Sequence, residues 1–407
     1  MYTRIMCSAM AAFAPIAKTG GHAAIVIISL AAVLSSAPLA AQTVVVYVNA
    51  DSNASTPDGS TWALAYPFLQ DGLSQAGFLI DNELAEEVHI WVAAGTYRPD
   101  QGSGVSPGTR AASFPLRNNV RVYGGFAGIE SDLSERNWVI NKTTLSGDLN
   151  EDDDFNASYN QNGQLILSFT NYSTDNSHHV VSAIGAQEPI NRTAHLDGFV
   201  IEGGTGFAGT CSALGGGGLL VDHGTPTIRN CEFRRNRSHP NAEAGFGNAN
   251  GGAVFISSAG PLEEQVLFEN CVFIHNEGLK GGGAVYAAPY APVVFIRCQF
   301  IENLCGEKTG GGALWTITDC DLVNCTIVKN QVTGLASPGG AAIYSQGGVV
   351  RIWNCLVAEN HAFAEDSAGA FYFSNGNIEI ISSTLANNIA ENGVGGIEMA
   401  GGQLTVD

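Results

Sequence analysis

The sequence predicts an all-β protein: a right-handed parallel β-helix, a single-stranded solenoid with three short strands per coil of about 28 residues and a short N-terminal capping helix. Three observations carry this prediction. First, one segment recurs six times, as IRNCEFRRN (228–236), FENCVFIHN (268–276), FIRCQFIEN (295–303), LVNCTIVKN (322–330), IWNCLVAEN (352–360) and IISSTLANN (380–388). Its anchors Cys231, Cys271, Cys298, Cys325, Cys355 and Ser383 lie 40, 27, 27, 30 and 28 residues apart, each followed five residues later by asparagine. A period of that size means stacked units. Second, apolar residues alternate on both sides of the anchor, which is strand periodicity. Third, a glycine-led segment precedes each pair of strands: GGAVF (251–255), GGAVY (282–286), GGALW (311–315), GGAAIY (339–344) and AGAFYF (368–373).

Within a coil the inward columns are explicit. Phe233, Phe273, Phe300, Ile327, Val357 and Leu385 stand two residues after the anchor; Ile228, Phe268, Phe295, Leu322, Ile352 and Ile380 stand three before it. The alternation slips by one residue between those columns, so a two-residue corner is expected there. Asn230, Asn270, Asn324 and Asn354 fill it, and asparagine tolerates the left-handed backbone that a corner needs. A β-propeller blade needs roughly 40–45 residues and four antiparallel strands, which these repeats lack.

Upstream, HLDGFVIEGG (195–204) fits a coil with Gly198 at the anchor and Gly203 at the asparagine position. HHVVSAIG, TTLSGDLN and NNVRVYGGFAG read as earlier coils with long excursions. VVVYVNA (44–50) reads as a strand, and the spacing in 59–77 predicts a helix covering the first coil. The expected organisation is a signal peptide over 1–41, the N-terminal strand and capping helix over 42–80, irregular early β-helix coils with long loops over 81–194, and regular coils over 195–407, open at the C-terminus.

The export signal is read from Arg4 and Lys18 ahead of the apolar run Ala23–Leu34 and the small residues that follow. Twelve residues are too few to span a bilayer, so a secreted or cell-surface protein that does not span the membrane is expected. The formal charge of −20 argues against nucleic acid and anionic membranes as partners. A polysaccharide or a cell-surface protein remains as partner.

The segments GGAV with FIHN (273–276), FIEN (300–303) and FRRN (233–236) resemble the polymorphic outer-membrane protein repeat of Chlamydia-type surface proteins over about residues 195–407. In the last three coils Ile327, Val357 and Leu385 replace the phenylalanine. The region 46–149, with HIWVAAGTYRP, RVYGGFAGIE and TTLSGDLN, is similar to exported pectate-lyase-like β-helix proteins. The resemblance implies a surface or secreted location and in some members adhesion. It implies no single activity, because function does not follow from fold.

No catalytic, cofactor-binding or metal-ligating residue is assigned from the sequence. The cysteine column lacks C-x-x-C pairs and would form a row along an axis, whereas zinc needs four convergent ligands. Core packing is expected, with an occasional strained bridge at most. Cys211 and Cys305 are read as loop residues. The terminal asparagines 236, 276, 303, 330, 360 and 388 are expected to stack as a hydrogen-bonding ladder. Asp148, Asn150 and Asp152 have the spacing of a calcium loop, but Asp153 and Tyr159 stand where glycine and glutamate belong. That loop is read as a solvated acidic surface, with weak calcium binding as the alternative. Arg234, Arg235, Arg237 and His239 supply positive charge without a matching row of aspartates, VDH (221–223) is read as loop, and Arg229 is expected to pair with Glu269. The favoured function is non-catalytic adhesion or glycan or protein binding; the alternative is a polysaccharide lyase or glycoside hydrolase working in an outer groove.

Overall fold

A computed structural model describes residues 43–172, 175–206, 215–238, 250–258, 260, 262, 264–306, 310–334 and 338–407. The proposed signal segment, Cys211 and His239 lie outside the described residues. Three long sheets run the length of the solenoid. Sheet 1 has eleven strands, from Thr43–Val48 through Val266–Glu269 and Val293–Ile296 to Gln403–Val406. Sheet 2 has nine, from Gly95–Tyr97 to Thr384–Ala386, and sheet 3 has nine, from Phe114–Pro115 to Ile397–Met399. Every strand in them pairs in parallel with its counterpart one coil away, as Val266–Glu269 does with Val293–Ile296. The chain is a parallel β-helix.

The anchors mark the turn between sheets 1 and 2. Asn230, Asn270, Asn324 and Asn354 take positive φ of 50°, 55°, 56° and 51°, and Arg297 and Ser382 do the same at the equivalent positions. The corner side chains also link coils: Nδ2 of Asn270 donates to Oδ1 of Asn230 at 2.7 Å. In the earlier coil the corner has the same length, but the anchor falls one residue later than the sequence reading put it. Asp197 pairs with Arg229 and Ile201 with Phe233, so Phe199 takes the anchor's inward place and Gly198 (φ 87°) is the corner itself. Gly204, not Gly203, then stands at the asparagine position, where its N–H donates to Oδ1 of Asn236.

The core is a stack of like side chains. Phe233, Phe273 and Phe300 lie face to face at 5.1 and 4.7 Å, with Phe268 and Phe295 stacked beside them at 5.2 Å. All five are fully buried. The glycine-led segments turn the chain into sheet 3. Gly282 has positive φ, and a Cβ on Gly281 would collide with the Trp315 ring of the next coil. That ring belongs to an outer row of Phe255, Tyr286, Trp315, Tyr344 and Tyr372, in register along sheet 3.

Four further features depart from the sequence reading. The capping helix spans Leu69–Asp81 rather than 59–77. Tyr66 is held extended by hydrogen bonds to Tyr47 and Asn49, and Pro67 follows it, so the helix starts only beyond the proline. Leu69 and Ala76 are buried, and Leu73, Leu79 and Ile80 pack on the solenoid core. A fourth sheet of six short strands runs from Arg237–Ser238 to Ile389–Val394; Cys305 belongs to it and is buried, not looped out. Val221 and Asp222 lie in the strand Leu219–Asp222, so only His223 of VDH is in the turn. Finally, Asp154–Tyr159 and Leu165–Thr170 form an antiparallel hairpin.

Candidate functional site

The two repeated polar rows are inside the solenoid. All seven cysteines among the described residues are buried. Each anchor thiol donates back to a carbonyl one coil away, as Cys325 Sγ does to Phe295 O (3.3 Å) and Cys355 Sγ to Leu322 O (3.4 Å). Ser383 makes the same bond through Oγ to Ile352 O (3.1 Å). Burial pushes the thiols of Cys320 and Cys305 up, the latter to about 12, so they stay protonated and unreactive. Cys325→Ala is expected to cost about 1.5 kcal/mol through a lost core contact. Urea unfolding checks the loss, and metal analysis before and after the substitution should give the same content.

The asparagine row is a continuous amide ladder. Asn236 through Asn360 have no exposed surface, and each Nδ2 donates to the next Oδ1, at 2.9 Å for Asn303 to Asn330. The same Nδ2 donates to a strand carbonyl one coil back, and the same Oδ1 receives the neighbour's backbone N–H. No donor or acceptor of the Asn303 amide is left over for a ligand. The outer aromatic row of sheet 3 is equally self-engaged. Phe255 stacks on Tyr286 at 5.2 Å and Tyr344 on Tyr372 at 5.5 Å, and Trp315 meets Tyr286 and Tyr344 edge to face, so each ring of the row is engaged by its neighbours.

A convergent polar pocket of about 380 Å³, not foreseen from the sequence, is lined by Ser146, Asp148, Asp153, Asp154, Phe155, Tyr172, Glu202, Gly203 and Arg235. Sheet 2 positions half of it: Ser146, Glu202 and Arg234 are in register at the ends of neighbouring strands, with Asp148 and Arg235 just beyond. The hairpin base supplies Asp153, Asp154 and Phe155. Ligand oxygens of Asp148, Asp152 and Asp175 all lie within 4.8 Å of one another. The third of these comes from beyond the hairpin, whereas exposed Asn150 contributes its backbone N–H to Asp175. An all-oxygen set of this kind suits a hard cation such as calcium. The arginines therefore do have acidic neighbours on the adjoining coils: Arg234 binds Glu202 of the preceding coil at 2.6 Å, Arg235 lies 3.8 Å from it, and Arg237 binds Glu277 of the following coil at 2.6 Å.

Burial, reinforced by Asp148, Asp175 and Asp152, pushes Asp153 up to about 7 against the opposing hydrogen bond from Asn176. Because its folded pKa lies above the unfolded value, the stability it contributes is complete below about pH 4 and is lost as pH rises to about 7. Asp153→Asn keeps the bond from Asn176 and cannot ionise. Its melting temperature is expected to match the parent near pH 4, to exceed it increasingly up to pH 7, and to hold a constant gain above that. Thermal melts across this range check the prediction.

A second cluster lies on the outer face of sheet 1. Arg136 Nη2 reaches Asp197 Oδ1 at 2.7 Å, and Asn230 donates to the same oxygen at 2.8 Å. His195 Nε2 lies 3.4 Å from Asp197 Oδ2. Burial raises the Asp197 carboxyl, but bonds from His195, Arg136 and Asn230 outweigh it and hold it below its ordinary value. Arg136 also stacks over Tyr123 and Trp138. Its side chain and that of Asp197 are 8% and 7% exposed, so this buried pair fastens the excursion after Val120–Phe126 to the sheet. As expected, Arg229 pairs with Glu269, at 2.7 Å.

The hairpin had a legible signal: apolar alternation in DFNASY and LILSFT around the turn-rich NQNGQ. Asp175 had none, since nothing periodic joins it to Asp148.

No protein-family model and no curated protein matches the chain. Among solved structures it is similar to the A-module of a mannuronan C-5 epimerase from Azotobacter vinelandii, with 13% identity, 88% of this chain and 100% of that chain covered, and a TM-score of 0.26. A likeness of that size carries no functional argument, and the β-helix assignment rests on the parallel sheets themselves. No helix among the described residues is long and apolar enough to cross a membrane.

Proposed function

We propose that this chain is a secreted or cell-surface, non-catalytic β-helix protein that binds a glycan or a protein along its outer face. The observation that carries this reading is how the charged groups are arranged. Outside the pocket at the hairpin base, they pair from coil to coil along the solenoid, as in Arg229–Glu269–Arg297 and Asp321–Arg351–Glu379. Such rows favour an extended, repeating contact. The net charge of −20 directs that contact toward neutral glycans, basic proteins or acidic glycans bridged by a cation. Asp148, Asp152 and Asp175 are where such a cation would be held.

A second reading, a polysaccharide lyase or hydrolase, is favoured by one observation. Asp153 lines a pocket that also holds Arg235 and Tyr172, and burial there pushes its carboxyl up. Incubation with neutral and uronate polysaccharides, with and without calcium, separates the two. Retention on a polysaccharide or partner surface without chain cleavage supports binding. Unsaturated or reducing ends forming at enzymatic rates, and abolished in Asp153→Asn, would overturn it in favour of the enzyme.

A further inference from the structure

The hairpin Asp154–Tyr159/Leu165–Thr170 breaks the rule that each coil of a solenoid touches only its neighbours. Phe155 lies under the Arg235 guanidinium (5.3 Å) and beside His275 (5.6 Å). Phe169 lies under Arg237 at 5.2 Å. Leu165 and Leu167 cluster with Leu304, and Tyr159 Oη donates to Glu302 at 2.9 Å. At the tip, the Leu165 N–H donates to Gln331 Oε1 (2.7 Å), and Gln331 Nε2 donates to Gly163 O (2.9 Å). These contacts fall on four successive coils. Four coils span three rungs, about 14 Å, and a six-residue strand reaches about 20 Å, so the hairpin is long enough to run along the axis across all of them.

Each anchor on the solenoid lies in or beside the turn that carries the asparagine ladder. The residue before each asparagine has positive φ, including Arg235, His275 and Glu302 at 54°, 54° and 50°. That backbone holds the side chains in a row outside the core. The residues after the asparagine, Arg237, Leu304 and Gln331, belong to the fourth sheet. The hairpin binds both rows, with Phe155, Ala157, Leu165, Leu167 and Phe169 at alternate positions covered.

We propose that this hairpin is a strap. Docked, it ties four coils into one opening unit and closes one wall of the acidic pocket, to which its base contributes Asp153, Asp154 and Phe155. Nearest-neighbour ladders alone would let those coils open singly; a tie across residues 143 and 166 positions apart makes opening one of them release the strap from the others.

Hydrogen exchange on the full chain tests this with Leu167→Ser, which removes an apolar contact of the strap and leaves the solenoid interior unchanged. Hairpin amides are expected to exchange about tenfold faster, and amides of Val272–Ile274, Gln299–Ile301 and Thr326–Val328 to accelerate with them by about threefold or more, while Asn377–Ile381 stays unchanged. Tyr159→Phe, which removes one hydroxyl, is expected to give the same pattern at smaller amplitude and serves if Leu167→Ser folds poorly. Faster hairpin exchange with unchanged coil amides would make the hairpin a passive appendage and overturn the proposal. So would a hairpin that already exchanges at unprotected rates in the parent protein.

Discussion

Phe273→Ala is expected to destabilise the protein by about 4 kcal/mol, the largest effect of any single core truncation. The ring has no exposed surface and is sandwiched between Phe233 and Phe300, with the edges of Phe268 and Phe295 at 5.7 and 6.1 Å. Truncation removes two stacking contacts as well as the buried area, and such aromatic contacts add about 0.5–1.5 kcal/mol each. Collapse around the void is hindered because every neighbour sits on a rung fixed by parallel hydrogen bonds on both sides. The urea midpoint reads the change, with exposed Tyr290→Ala as a control expected to move it by less than about 0.5 kcal/mol. A loss below about 1 kcal/mol for Phe273→Ala would mean that the phenylalanine column is not a packed stack.

Asn303→Ala is expected to cost about 3 kcal/mol, although it deletes few heavy atoms. The side chain donates to Phe273 O and Asn330 Oδ1 and accepts from Asn276 through both the backbone N–H and Nδ2. Alanine leaves Asn276 donors and the Phe273 carbonyl unpaired where no surface is exposed, and each stranded group costs about 1–3 kcal/mol before relaxation. Asn303→Leu is expected to be at least as damaging, because it adds apolar volume beside the same stranded groups. Amide exchange at Asn276 is the specific readout: its N–H loses its acceptor in either variant. Unchanged protection there would show that the ladder bond is dispensable.

These two positions were visible before the fold was known, because phenylalanine and asparagine recur at fixed offsets from the anchor. The acidic pocket was visible only in fragments. Asp148 and Asp152 share a loop in sequence, but Asp175, Glu202 and Arg235 arrive from later coils and from beyond the hairpin. The one-residue shift at Gly198 was hidden because that coil has no cysteine to mark the anchor: Gly198 is the counterpart of Asn230, and Phe199 that of Cys231. The fourth sheet was also hidden, since most of its strands are two residues long and carry no alternation.

The sequence alone determined the coil: its length, its inward columns, its left-handed corners and its two polar ladders. Repetition makes that possible, because a residue in a solenoid meets its own counterpart one period away and its partner can be read from spacing. Only the tertiary structure decided where the hairpin lies and what closes the acidic pocket. Those contacts join the excursion around residues 148–175 to coils as far away as Gln331, and such a pairing is chosen by shape and charge along the solenoid's side, with no period to announce it.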